Sequence, residues 1–156
     1  MKLTQEQIKA YDEEGYILLP SLFSQQEAAL MKSRLPALFQ MNRDEVIKEK
    51  SGVVRTVFAA HTFDDVFARV ACHPRLINPA RQLLNSDVYM HQFKINAKAA
   101  FNGDVWQWHQ DFGTWHQDDG MPEARAMNVA VFLDDVNEFN GPLMLIPRSH
   151  KEGRLD

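Results

Sequence analysis

Cysteine is nearly absent from the chain, with Cys72 the single instance in 156 residues. That excludes an internal disulfide and makes a reducing, cytoplasmic setting the expectation. Long apolar runs are missing as well, and nothing reaches the roughly 20 residues that span a bilayer. The opening Met1-Lys2-Leu3-Thr4-Gln5-Glu6 is polar where a signal peptide would be apolar. Positive charge is in deficit: 17 Lys and Arg stand against 21 Asp and Glu, for a net charge of −4. This leaves no basic field for nucleic acid and no polybasic patch for an anionic membrane. Internal repeats and low-complexity tracts are also lacking, which removes solenoids and linkers. What is present is an ordinary globular composition, 45% hydrophobic and 24% charged. Residues 1–156 are long enough for one domain with a hydrophobic core.

Local signals place helices first. Thr4 with Gln7 and Ser24 with Glu27 form capping-box pairs. The first helix is expected to run to Glu14 and to stop at Gly15. Residues 16–20, apolar and closed by Pro20, read as a short strand. The second helix should bury Ala28, Leu30, Met31, Leu35 and Leu38, with a kink at Pro36. Residues 42–52 read as a charged surface excursion, 53–58 as a strand, and 62–72 and 75–85 as helices. From Asp87 strand formers dominate. In 88–98, His91, Phe93, Ile95 and Ala97 would share one face and Gln92, Lys94, Asn96 and Lys98 the other. Further strands are expected at 105–109, 126–133 and 143–146. The fold class is α+β, with a mainly helical flank over 1–86 and strands over 87–156.

The chemistry concentrates in Trp108-His109-Gln110-Asp111. On a strand, the i, i+2 spacing of His109 and Asp111 points both side chains to one side, with Cα atoms about 6–7 Å apart. Imidazole and carboxylate can then converge on one ion. A mononuclear iron(II) dioxygenase needs such ligands on one face of an octahedron, leaving the opposite face for co-substrate and oxygen. A bare His-x-Asp is weak, its rival being a hydrogen-bonded strand-end pair. The setting strengthens it: Trp106, Trp108, Phe112 and Trp115 crowd the same stretch, an aromatic shell that would limit water. Core packing is the competing account, and for Trp106 and Trp108 the weightier one. His116, just before the polar loop Gln117-Asp118-Asp119-Gly120, reads as surface-exposed, and His61 and His73 as capping or solvent-facing; His150 is the tempting third ligand.

At these residues the chain resembles the phytanoyl-CoA dioxygenase superfamily of iron(II)/2-oxoglutarate enzymes. Within it the likeness is to the bacterial branch holding ectoine hydroxylase and free-proline 4-hydroxylases. It rests on His91-Gln92-Phe93-Lys94-Ile95-Asn96-Ala97-Lys98, on 108–115, on Asp119-Gly120-Met121-Pro122, and on Asn140-Gly141-Pro142-Leu143-Met144 through His150. The resemblance implies a double-stranded β-helix, or jelly-roll, with flanking helices, incomplete within this chain. It implies His109 and Asp111 as iron ligands at the catalytic centre, and Lys98 as a residue holding 2-oxoglutarate. Asn128 is placed with Lys98 on the cofactor side of the cavity, and Gln92 and Trp115 line the substrate site. The family's second histidine ligand and its 2-oxoglutarate arginine come later than Asp156, so the chain is expected to be truncated before them. His150 matches a different family position, beside a structural turn, and Arg148 stands where the family usually has glycine.

The implied activity is hydroxylation of a small free amino-acid-like substrate, ectoine- or proline-like, with oxygen and 2-oxoglutarate as co-substrates. The Asp111 carboxylate argues against a related halogenase, which leaves that position open for chloride. Two alternatives stay open: a non-catalytic or incomplete fragment of the fold, and a relative acting on an acyl-CoA or carrier-bound substrate. Nucleic acid and membrane are not expected as partners, and a homodimer stays open.

Overall fold

A computed structural model of the chain describes residues 1–99 and 106–155. Helix α1, Gln5–Glu14, opens at Thr4 with both halves of its capping box formed. It closes at Gly15, whose φ of 86° no β-carbon would favour and whose N–H reaches the Tyr11 carbonyl at 2.8 Å. Helix α2, Gln25–Phe39, repeats the device with Ser24 and Glu27 and contains Pro36 near its end. Its buried residues are Met31 and Leu38. Leu30, expected inside, is 54% exposed, because neighbouring helix residues point about 100° apart and Met31 already faces the core.

Residues 16–20 do not form a strand, and Leu18 is exposed. A short apolar run takes up strand hydrogen bonding only beside a partner, and none lies along it among the described residues. The excursion expected over 42–52 instead contains a strand, β1 (Val46–Lys48), turned by Glu49–Gly52 into β2 (Val54–Phe58). The third strand, β3 (Lys94–Asn96), pairs antiparallel with the other side of β2, giving the order β1-β2-β3. Two of the three strands thus lie in the part expected to be mainly helical, joined to β3 by a pairing no local pattern announces.

The register sets the core. Val46 pairs with Val57 and Val57 with Ile95, so one cross-strand row carries three buried side chains. Met31 and Leu38 of α2 and Phe67 of α3 (Asp65–Ala71) complete the same cluster. Asp64 ties the helices together: one carboxylate oxygen caps α3 at the Val66 and Phe67 N–H groups, and the other accepts from Arg34 of α2 at 2.8 Å. Helix α4, Pro74–Leu84, begins with proline after His73, whose Nδ1 accepts the Arg75 N–H, the capping role expected of it. Gln82 of α4 pairs with both backbone groups of Leu3.

The later strands do not appear as expected. Only 94–96 of 88–98 is strand. Ile95 is buried and Gln92, Asn96 and Lys98 are exposed as the alternation implied, but His91, expected on the Ile95 face, is exposed and Lys94 is half-buried. Residue 105 lies outside the described residues, and 106–109, 126–133 and 143–146 carry no ladder. Val129, Phe132 and the whole run Leu143 to Ile146 face outward. A β pattern needs neighbouring edges to pair with, and these segments find none among the described residues. The architecture shown is mixed helix and strand. A fifth helix, α5 (Asp111–Asp118), stands between the expected strands 105–109 and 126–133, where no helix was expected. No helix among the described residues is long and apolar enough to cross a membrane.

Candidate metal and co-substrate site

The i, i+2 pair sits at the N-terminal corner of a helix rather than on a strand. His109 lies in the irregular segment before α5, Gln110 is the N-cap, and Asp111 is the first helical residue. Gln110 is extended (φ −111°, ψ 122°), so the two flanking side chains still leave the same side of the chain. The Gln110 side chain does not cap the helix. It donates to the Gly153 carbonyl and accepts from the Leu155 N–H, both at 2.9 Å, holding the corner to the C-terminal segment. The helix N-terminus in turn favours the Asp111 carboxylate.

Each of the two heads is oriented by one outer partner. His109 Nδ1 lies 2.7 Å from the Gln107 carbonyl. A carbonyl only accepts, so Nδ1 carries the proton and Nε2 of the neutral ring carries a lone pair. Asn128 Nδ2 donates to Asp111 Oδ2 at 2.9 Å, leaving Oδ1. His109 Nε2 and Asp111 Oδ1 face each other at 3.3 Å. Adjacent ligands held about 2.1 Å from one octahedral metal stand about 3 Å apart. The donors therefore fit an iron(II) ion, with the second partners that oriented metal ligands require. A proton on Nε2 satisfies the same geometry in the ion's absence. Both residues are reachable, His109 being 52% and Asp111 24% exposed. Among the described residues no three His, Cys, Asp or Glu side chains gather as a metal site.

Of the other expected site residues, Asn128 and Trp115 adjoin this corner, while Gln92 and Lys98 are placed by contacts of their own segments. Trp115 lies one turn beyond Asp111 on α5 and is buried. The His91 ring meets it edge-on at 5.1 Å between centroids, and His91 Nε2 approaches Asp119 Oδ2 at 3.0 Å. These contacts bring the segment carrying Gln92 against α5, with Gln92 itself exposed. Lys98 lies just past β3, its aliphatic stem across Gly141. Asn128, assigned to the cofactor side, contacts the metal-ligand candidate Asp111 directly.

The aromatic shell is thinner than the spacing suggested. Trp108 is 61% exposed, and Trp106 stacks under the Arg55 guanidinium at 4.7 Å, so neither is core. Phe112 tilts against His116, whose Nδ1 donates to the Met121 carbonyl at 2.7 Å from an exposed position, as expected. His61 departs from the capping or solvent-facing expectation: its ring packs on Phe93, and its buried Nδ1 has no hydrogen-bond partner among the described residues. His150 stands elsewhere, its Nε2 donating to the Asp12 carbonyl at 2.9 Å while its ring packs on Gly15. Arg148 adopts φ 70° and bonds Glu14, which explains why a glycine would suit its position. Sequence reasoning missed the Gln107 carbonyl, which as a backbone group carries no residue-type signal, and the His91 contact with Trp115.

Comparison with known proteins adds to this geometry. The family model of phytanoyl-CoA dioxygenase (PhyH) matches residues 11–156. An ectoine dioxygenase of Bordetella bronchiseptica is 43% identical over 157 aligned positions, covering 96% of this chain and 50% of its own length. An L-proline trans-4-hydroxylase of Streptomyces griseoviridis is 42% identical, covering 94% of this chain and 55% of its own. The chain thus spans about half the length of these relatives. The crystal structure of EctD from S. alaskensis with 2-oxoglutarate and 5-hydroxyectoine superposes with a TM-score of 0.75 at 37% identity, over 79% of this chain and 45% of that one. The same protein with bound Fe gives a TM-score of 0.74. With a family model matched over nearly its whole length, the chain belongs to the phytanoyl-CoA dioxygenase family.

Proposed function

We propose that the chain carries the metal-binding corner and part of the co-substrate site of an iron(II)- and 2-oxoglutarate-dependent hydroxylase acting on a small amino-acid-like molecule. The observation that carries this reading is the 3.3 Å approach of His109 Nε2 to Asp111 Oδ1, each residue's second polar atom being engaged elsewhere. Relatives named ectoine dioxygenase and L-proline trans-4-hydroxylase support an ectoine- or proline-like substrate. EctD structures with Fe and with 2-oxoglutarate support the cofactor and co-substrate.

The chemistry that bound iron(II) and 2-oxoglutarate supply is activation of oxygen for C–H hydroxylation, the co-substrate leaving as succinate and CO₂. The residues of this chain bind and orient. His109 and Asp111 hold the ion, and Gln107 and Asn128 hold His109 and Asp111 in their binding orientation. Lys98 offers an ammonium to a 2-oxoglutarate carboxylate, and Gln92 an amide that can both donate and accept toward substrate. Trp115 gives a flat wall suited to a cationic ring nitrogen.

In the intact protein, Asp111→Ala is expected to abolish succinate formation with either ectoine or proline supplied, measured by mass spectrometry. Undiminished succinate would remove Asp111 from the ligand set, and turnover of an acyl-CoA in preference to both small substrates would overturn the substrate class.

A further inference from the structure

We propose that Gly141 is a positioning residue for the co-substrate: its bare Cα is the surface along which the Lys98 stem lies, setting the direction of the Lys98 ammonium. This rests on the reading that Lys98 holds 2-oxoglutarate. A β-carbon at Gly141 would stand 2.8 Å from Lys98 Cγ, 2.9 Å from Cε and 3.2 Å from Cδ. Carbon atoms in ordinary contact are about 3.5–4.0 Å apart, so three successive methylenes of the stem already occupy the space a side chain would need.

Neither backbone is free to retreat. Lys98 follows β3, and its neighbour Ala97 donates to the Arg55 carbonyl of β2 at 2.9 Å, anchoring this end on the sheet. Gly141 directly follows a turn closed by asparagine side chains. Asn140 Oδ1 accepts the Asn137 N–H and Asn137 Oδ1 the Phe139 N–H, both at 2.9 Å, while Asn140 Nδ2 donates to the Asp135 carbonyl at 2.6 Å. Pro142 restricts the chain on the other side. With both ends held, an added β-carbon displaces the Lys98 side chain. An ammonium is a point charge on a flexible stem, so its placement depends on what the stem lies against. The competing account is that Gly141, at φ 76°, serves the turn alone.

The two accounts separate on 2-oxoglutarate affinity, measured by anaerobic calorimetry on the intact protein loaded with iron(II). Gly141→Ala is expected to weaken 2-oxoglutarate binding about tenfold or more, the scale of a charge-assisted hydrogen bond, with iron(II) affinity unchanged. Gly141→Asn should lose as much: asparagine tolerates the left-handed backbone yet carries the β-carbon, so backbone strain is reduced while the contact stays. On a Lys98→Ala background, Gly141→Ala should cost nothing further. Wild-type affinity in Gly141→Asn would overturn the proposal, as would an equal loss with and without Lys98. If Lys98→Ala alone binds 2-oxoglutarate as tightly as wild type, the Lys98 assignment fails and this inference fails with it. That outcome leaves the His109–Asp111 reading standing.

Discussion

At the scale of single residues, the proposed site is organised by what holds the outer atoms of His109 and Asp111. The Gln107 carbonyl accepts a hydrogen bond from His109 Nδ1–H, and the Asn128 amide donates one to Asp111 Oδ2. The remaining lone pairs are left pointing at one another, an arrangement that favours a cation between them. Partners of this kind raise the basicity of a ligand and fix its rotamer. Removing one commonly lowers metal affinity by about 10–100-fold. Asn128→Leu should therefore weaken iron(II) binding on that scale while leaving thermal unfolding of the metal-free protein nearly unchanged, since Asn128 is exposed. Calorimetric titration with iron(II) checks the first part and a melting curve the second. Equal iron affinity in variant and wild type would restrict Asn128 to a cofactor-side role.

Between elements, polar side chains do much of the joining. Glu27 belongs to the capping box of α2, and its carboxylate also receives the Arg75 guanidinium from the first turn of α4. The hydrogen bond from Arg75, followed by the Ser24 N–H, lowers its pKa from 4.5 to about 2. A carboxyl depressed in the folded state contributes stability that is full above its unfolded value. That contribution is lost as pH falls toward the folded one. The pair thus helps hold α2 to α4 above about pH 4.5 and fades toward pH 2. Wild type should lose urea resistance across this window, and Glu27→Gln should show a flatter dependence there. Parallel curves for the two proteins would mean that the pair does not contribute. Arg75 also stacks on Phe23 at 4.5 Å and donates to the Leu22 carbonyl, so the variant should keep α4 docked near neutral pH.

For the whole molecule, stability rests on the row Val46, Val57 and Ile95 against Met31, Leu38 and Phe67. Leu38 is fully buried. Leu38→Ala is expected to cost roughly 2–5 kcal/mol, from lost burial plus the cavity left behind. Chemical denaturation would read this as a lower midpoint at unchanged slope. A cost well under 1 kcal/mol would mean that the core collapses around the gap or that the cluster is peripheral to stability. The apolar side chains from Val129 to Ile146 contribute little to this core. Val131 and Leu133 pack against it, whereas Phe132, Phe139 and Leu143 to Ile146 face outward.

Helix ends and the convergence of His109 on Asp111 were legible locally. Thr4, Gly15 and Ser24 cap as their residue types favour, because a cap satisfies backbone groups within three or four residues. His109 and Asp111 converge as their spacing implied, although on a helix corner, because an extended Gln110 reproduces the strand's same-side geometry. The strands were legible only where a partner exists. β1 emerged from a charged stretch because β2 offered it an edge, whereas the apolar runs at 16–20 and 143–146 found none among the described residues. Chain-distant contacts decided the rest: Asn128 on Asp111, His91 on Trp115, and the Lys98 stem over Gly141. Residue type and spacing alone determined which side chains could bind a metal and where helices begin. Which atoms face inward depended on pairings across 17 to 43 residues, which no local preference encodes and only tertiary packing selects.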